Sequence, residues 1–343
     1  MRKLRERLEY LRSSPPQEEW NDDEEDDRIG KCGMSGFVEH SGLVCIYALD
    51  FFAEQNLPIK KIFVKDNKIF KFILYYYIGG FMDFIGITAL VALALSAFGF
   101  VMYVYFFSIG YGFSIAGIGI TLLILFRNQL TLGTIILCGL LILYGIRLGG
   151  YLAIRELKSL GYKNLLKEES KKTVPVGVKF SIWISCAFLY VCQVAPLTFR
   201  FVNKVQDDTL LYVGIGFAVV GILMEIIADA HKAISKKKNP NRFVCTGLYK
   251  IVRCPNYLGE ILLYTGTFIS GISVCNSVVQ WIFVVLGYIG ILYVMFSGAR
   301  RLEIRQDKNY GDDPEYQKYV ATTPILIPLI PLYSVKKYAW LVA

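Results

Sequence analysis

Asn256, Glu260 and Tyr264 are polar residues in an otherwise apolar stretch that follows TGLYKIVRCP, within the segment Thr246–Gly266. Their spacing of four stacks them on one face of a helix. Pro255 suits the first turn of that helix, where its missing N–H would be unpaired in any case. Arg253 stands just outside. The free N–H groups of a helix N-terminus favour negative charge, and an arginine beside them can pair with phosphate oxygens. The same residues also fit a snorkelling arginine beside tyrosines of an interfacial belt.

Upstream, MEIIADAHKAISKKKNPNR places Glu225 and Asp229 one helical turn apart, so both carboxylates face the same way. Acids at membrane depth are costly unless paired or solvated, which makes them functional candidates. Carboxylates can bind ribose hydroxyls, and nearby cations phosphates. The other reading is an ion-pair network at a helix end, with Lys236, Lys237 and Lys238 against lipid phosphates. Arg147 lies in LILYGIRLGGYLAIREL between Tyr144 and Tyr151, in a cavity or snorkelling to the interface. Tyr310, Tyr316 and Tyr319 offer flat faces to a base or nicotinamide ring, or anchor a helix among headgroups. No G-x-G-x-x-G or P-loop follows a strand pattern, so a nucleotide would bind outside those geometries.

The elements that position these groups are membrane helices. Of the 343 residues 55% are hydrophobic and 15% aromatic, with a mean hydropathy of +0.45, and the apolar residues come in blocks of spanning length. The expected fold is all-α: a polytopic integral membrane protein with about 6–8 transmembrane helices. One long block occupies Phe72–Ile109, too long for a single straight crossing. Others cover roughly 111–126, 131–150, 177–198, 210–228, 256–275 and 278–297. Residues 1–35 form a charged tail expected to be disordered. Residues 36–140 make an N-terminal membrane region, 141–333 the membrane domain that carries the motifs, and 334–343 a short tail. PILIPLIPLY, at 324–333, has too many prolines for a regular spanning helix. The charged N-terminus lacks the apolar core of a cleavable signal peptide.

The formal charge of +9 does not mark a nucleic-acid partner, because the lysines and arginines sit in loops between apolar blocks. The eight cysteines form no C-x-x-C pair and the only histidines are His40 and His231. No zinc site or disulfide framework is expected.

MEIIADAHK, a basic loop, TGLYKIVRCPNYLGE and a tyrosine-bearing loop ending Thr-Pro-Ile-Leu-Ile-Pro resemble, in that order, the steroid 5-alpha-reductase C-terminal domain family. The steroid-reductase-like branch, whose central motif reads T-G-L-W-x-x-x-R-H-P-N-Y-x-G-E, is the nearest pattern. RLGGYLAIRELKSLGYK is similar to its upstream R-x-G-x-x-L-x-x-R segment. The resemblance covers roughly 140–330. It implies an endoplasmic-reticulum membrane reductase that uses NADPH to reduce a carbon–carbon double bond in a steroid or other lipid. By position, Glu225 and Asp229 would face the nucleotide's sugars and Arg253 its phosphates. Asn256, Tyr257 and Glu260 would line the pocket, and Tyr316 would close it. Tyr144, Arg147 and Tyr264 are the candidate catalytic donors, chosen as polar groups near apolar blocks. Cys254 departs from the pattern, standing where the family has histidine. Membrane methyltransferases that use S-adenosylmethionine share the R-H-P-x-Y-x-G core but carry a Glu-Glu pair where this chain has Arg300-Arg301-Leu302-Glu303. A degenerate, non-catalytic lipid-binding protein is the third reading.

The loops Tyr151–Pro175, Asp229–Arg253 and Gly298–Lys318 carry much of the positive charge, and two apolar blocks separate each adjacent pair. The positive-inside rule therefore puts all three in the cytosol. Single-cysteine variants in each loop should react with an impermeant thiol reagent only from the cytosolic side; labelling of one loop from the lumen would break the arrangement.

Overall fold

The computed structural model describes residues 80–158 and 175–341. The expectations for the tail 1–35, for residues 36–79 and for the middle of the first basic loop lie outside the described residues. The described residues contain helices and turns and no strand. Eight α-helices follow one another among the described residues: α1 (Gly80–Ser96), α2 (Ile109–Leu125), α3 (Leu132–Lys158), α4 (Val176–Val202), α5 (Thr209–Lys238), α6 (Pro255–Ile272), α7 (Val278–Tyr310) and α8 (Pro314–Thr322).

Among the described residues five stretches are long and apolar enough to cross a membrane: Tyr103–Leu125, Leu132–Ile154, Val176–Val202, Thr209–Lys238 and Val278–Tyr310. The protein is a polytopic membrane protein. Two more apolar helices are shorter, α1 with 17 residues and α6 with 18. At 1.5 Å per residue α6 covers about 27 Å, close to the thickness of a hydrocarbon core. Counted together they fall within the expected range of spans. The long block at Phe72–Ile109 breaks within its described part: α1 ends at Ser96 and gives way to 3-10 turns over Ala97–Phe100 and Tyr103–Phe106.

The helix starts follow their local chemistry. Asp208 caps α5 by accepting the Leu211 N–H at 2.8 Å, Ser277 caps α7, and Pro255 and Pro314 occupy first turns. α4 is the central helix, buried without interruption from Tyr190 to Phe201, and packs against α1, α6 and α7.

Two antiparallel hairpins carry the polar groups. Between α5 and α6, Gly221 opposes Gly259 and Gly214 opposes Gly266; a Cβ on Gly259 would lie 2.6 Å from the Gly221 carbonyl oxygen and 2.8 Å from Glu225 Cγ. Between α2 and α3, a Cβ on Gly112 would lie 2.7 Å from the Gly145 carbonyl oxygen. In lipid there is no hydrophobic drive to pair helices, so such close backbone approach supplies the packing.

The C-terminal stretch is irregular, as its prolines predict. It folds back over the start of α6, where Pro324 O accepts the Arg253 N–H at 2.9 Å and Ile325 O the Cys254 N–H at 3.0 Å.

Gly259→Ala should destabilise the fold by about 1–3 kcal/mol, the range for overpacking a tight core. Gly139→Ala, on α3 with nothing within 4 Å of a new Cβ, should be neutral or stabilise by up to about 1 kcal/mol through helix propensity. Unfolding in mixed detergent micelles measures both, and equal effects would contradict the seam.

Candidate functional site

Glu260 is a carboxylate in the middle of an apolar bundle, only 8% exposed, and its surroundings explain how it is tolerated. The Tyr111 hydroxyl donates to Glu260 Oε1 at 2.7 Å. The same hydroxyl oxygen lies 2.8 Å from the Tyr264 hydroxyl and 3.1 Å from that of Tyr144. A phenol has one proton and two lone pairs, so with its proton given to the carboxylate Tyr111 accepts from both neighbours. The rings meet edge-on, Tyr144 at 6.2 Å from Tyr111 and 6.2 Å from Tyr264, and Tyr190 packs 5.1 Å from Tyr111. Helices α2, α3 and α6 thus each supply a hydroxyl to one carboxylate network.

A second cluster adjoins it. Arg147, one turn beyond Tyr144 on α3, pairs with Asp229 Oδ2 at 3.1 Å through Nη1 and with Glu225 Oε2 through Nη2. Glu225 is buried, and its Oε1 and the Arg147 Nε have no partner among the described residues. Arg147 and Asp229 lie within electrostatic reach of Glu260. The predicted turn of spacing between Glu225 and Asp229 therefore serves one arginine from the facing hairpin.

A third group sits at the basic end. Arg253 is 2% exposed. It donates to Glu303 Oε1 at 2.9 Å and to the Tyr333 carbonyl, while Glu303 also accepts the Val335 N–H at 2.9 Å. Its Nη1 and Nε remain unpartnered among the described residues. Cys254 is buried beside it, and burial pushes its thiol up to about 12, so it stays protonated and inert at neutral pH. Tyr316 is buried against Phe243, with ring centroids 5.3 Å apart, and donates to Asp307 Oδ1 at 2.8 Å. Burial, then Asp307, pushes its hydroxyl well above the usual range. Asn256 and Tyr257 are half-buried on the first turn of α6, with Tyr257 against Gly298.

Of the residues singled out in the sequence, Tyr144, Glu260 and Tyr264 come together directly. Arg147, Glu225 and Asp229 join them as the adjoining ion cluster. Arg253 and Tyr316 belong to the separate group around Glu303 and Asp307, with Asn256 and Tyr257 on the α6 turn that links the two. Sequence reasoning missed Tyr111, the centre of the network. Its signal was Gly110-Tyr111-Gly112, a tyrosine between glycines at the head of an apolar block. Glu303 was noted only as a lone acid, not as the partner of Arg253.

A family described as "Protein of unknown function (DUF1295)" matches residues 107–323, a span that holds the side chains of all three groups but not the backbone partners at Tyr333 and Val335. A curated relative, the very-long-chain enoyl-CoA reductase of Dictyostelium discoideum, is 26% identical over 167 residues, or 47% of this chain and 50% of that protein. The chain thus spans about half the length of this curated relative. No solved structure matches.

Arg147→Ala leaves the buried Glu225 carboxylate without its cation. It should cost about 3 kcal/mol, the low end for breaking a buried pair, because a fifth of the Arg147 side chain is exposed. Adding Glu225→Gln should recover much of the loss. A double-mutant cycle with no coupling would contradict the cluster.

Proposed function

The chain belongs to the DUF1295 family, and from that premise we propose that it is a membrane-embedded, NADPH-dependent reductase. Its substrate is a carbon–carbon double bond conjugated to a carbonyl in a steroid or other lipid. The observation that carries this reading is the network of Tyr111, Tyr144 and Tyr264 on the buried Glu260. Reduction of such a bond needs a proton donor and a group to hold the negative charge that develops on the conjugated oxygen. Hydroxyls that donate in a dry site can do both. The similarity to an enoyl-CoA reductase supports an α,β-unsaturated thioester as one member of the substrate class, and the resemblance to steroid reductases an enone as another.

The residues fit the cofactor. Glu225 Oε1, buried and unpaired, is an acceptor suited to a ribose hydroxyl, with Asp229 one turn on. Arg253 offers an unpaired Nη1 towards a phosphate from a position fixed by Glu303, and the half-buried Lys232 lies on α5 at the same end. In this reading Asn256 and Tyr257, half-buried on the first turn of α6, would line the pocket beside the Glu260 cluster, and Tyr316, held by Asp307, would close it. NADPH, when bound, supplies the hydride. The chain supplies the rest. In this reading Tyr144 or Tyr264 turns its proton from the Tyr111 oxygen to the substrate oxygen, Tyr111 stays held by Glu260, and Arg147 keeps the two hairpins in register beside them. The apolar helices exclude water and admit a lipid substrate from the bilayer. In this reading the unit spans 141–333, the basic loops face the cytosol and the membrane is that of the endoplasmic reticulum. Glu303, the single acid where the methyltransferases carry a Glu-Glu pair, is held by Arg253 and the Val335 N–H, which supports the reductase reading over the S-adenosylmethionine one.

Calorimetry on the purified full chain in detergent should show NADPH binding and no S-adenosylmethionine binding; the reverse result would replace the reductase by a methyltransferase. Tyr264→Phe should keep NADPH affinity and lower kcat on an enone or enoyl thioester by about 10²–10⁴-fold, the usual contribution of a positioned acid. Unchanged turnover would place the chemistry elsewhere.

A further inference from the structure

At the end of the bundle away from the basic loops, the turns 126–131 and 203–208 border a cavity of about 190 Å³. It is lined by Asn128, Gln129, Thr134, Arg200, Lys204 and Gln206 among others. Its position is fixed by the spans themselves, which stop at Leu125 and Val202 and resume at Leu132 and Thr209. The cavity therefore sits at headgroup level.

Its wall is a buried cation. Arg200 is 1% exposed. Its Nη1 donates to the Gln206 carbonyl at 2.7 Å and its Nη2 to the Asp208 carboxylate at 3.1 Å and the Ser270 carbonyl at 2.9 Å. Its Nε is buried with no partner among the described residues. An unsatisfied charged donor at that depth costs free energy and points to a missing acceptor.

The nearby carboxylates are turned to other donors. Asp208 holds Arg200, the Ser273 hydroxyl at 2.5 Å and the Leu211 N–H. Asp207 takes the Thr131 hydroxyl, the Gly133 N–H at 2.9 Å and the Tyr212 hydroxyl at 2.9 Å. Partial burial alone would raise both carboxyls, but these hydrogen bonds and Arg200 hold them below the usual range, so both remain ionised. Lys204 and the carboxamides of Asn128 and Gln129 have no side-chain partner among the described residues. Lys204 is also held at φ 52°, a left-handed conformation that costs a non-glycine residue of order 1–3 kcal/mol and recurs at ligand sites. With Arg127, the two turns and Arg200 set three cations against two carboxylates. One positive charge is left over.

We propose that this cavity binds a phosphate group carrying a single negative charge, such as the phosphodiester of a phospholipid headgroup. Arg200 Nε, the Lys204 ammonium and the two carboxamides supply the donors. The volume is below the roughly 300–1,000 Å³ of sites that enclose drug-sized ligands. It admits a headgroup, while the acyl chains of that lipid would lie along the exposed apolar flanks of the helices. The site is independent of the reductase reading and lies at the other end of the bundle.

The test uses the full chain in dodecyl maltoside, with thermal unfolding followed against added dioleoyl phosphatidylglycerol, dioleoylglycerol or inorganic phosphate. Phosphatidylglycerol should raise the melting temperature saturably, and dioleoylglycerol should not. Lys204→Glu should weaken the apparent affinity at least ten-fold. Lys204→Gly, which relieves the backbone, should melt no lower than the parent without lipid and yet respond more weakly to it. A shift with inorganic phosphate equal to that with the lipid assigns the site to phosphate from solution, and a shift with the lipid alone assigns it to headgroups. No saturable response to either anion, or an undiminished response in both variants, overturns the proposal.

Discussion

The pairing of Arg147 with Glu225 and Asp229 is the interaction on which the rest of the bundle depends. Each hairpin can form from its own glycine contacts, but neither can carry an isolated charge into the apolar interior. Glu225 is almost wholly buried and α5 offers it no cation at that depth; the cation comes from α3. Once the two hairpins meet there, Tyr111 and Tyr144 from one face Glu260 and Tyr264 from the other. The tyrosine network is then a consequence of helix register. Breaking a buried pair costs far more than the pair gains over an apolar substitute. The arrangement therefore specifies one docking of the hairpins more than it strengthens it.

The two ends of the bundle solve the same problem in different ways. At the basic end a buried Arg253–Glu303 pair pins the C-terminal stretch over the start of α6. At the other end Arg200 gathers the α4–α5 turn and the end of α6 through Asp208, the Gln206 carbonyl and Ser270. Arg200 takes the Ser270 carbonyl in the last turn of α6, which a helix end leaves unpaired, while Arg253 takes the Tyr333 carbonyl of the irregular C-terminal stretch. Arg200 keeps one donor unmatched and Arg253 two, and these donors border the places where ligands are proposed.

Much of the fold was legible because spanning helices must be apolar over a fixed length. Six of the apolar blocks correspond to α2 through α7, and Pro255 begins α6 as its backbone chemistry required. The stripe Asn256, Glu260, Tyr264 was legible as a face, and two of its members meet Tyr111. What a single sequence did not reveal was partnership. The flanking glycines set Tyr111, which centres the network, apart from Tyr103 and Tyr105 nearby, but only the approach of α6 gives it its partners. Arg253 was legible as a cation at a helix start, but its burial depends on a chain segment some seventy residues later folding back over it.

Hydride transfer itself is the most direct test of the account. The purified full chain would be incubated with NADPH deuterated at the transferable position of the nicotinamide and either an enone steroid or a trans-2-enoyl thioester. Mass spectrometry of the lipid product reads the outcome. One deuterium at the carbon β to the carbonyl, with a solvent-derived proton at the α carbon, is the predicted result. It should be formed by the parent protein and strongly reduced in Tyr264→Phe. A saturated product with no label, or label incorporation unaffected by Tyr264→Phe, would contradict the assignment of the buried tyrosine–carboxylate network as a reductase site.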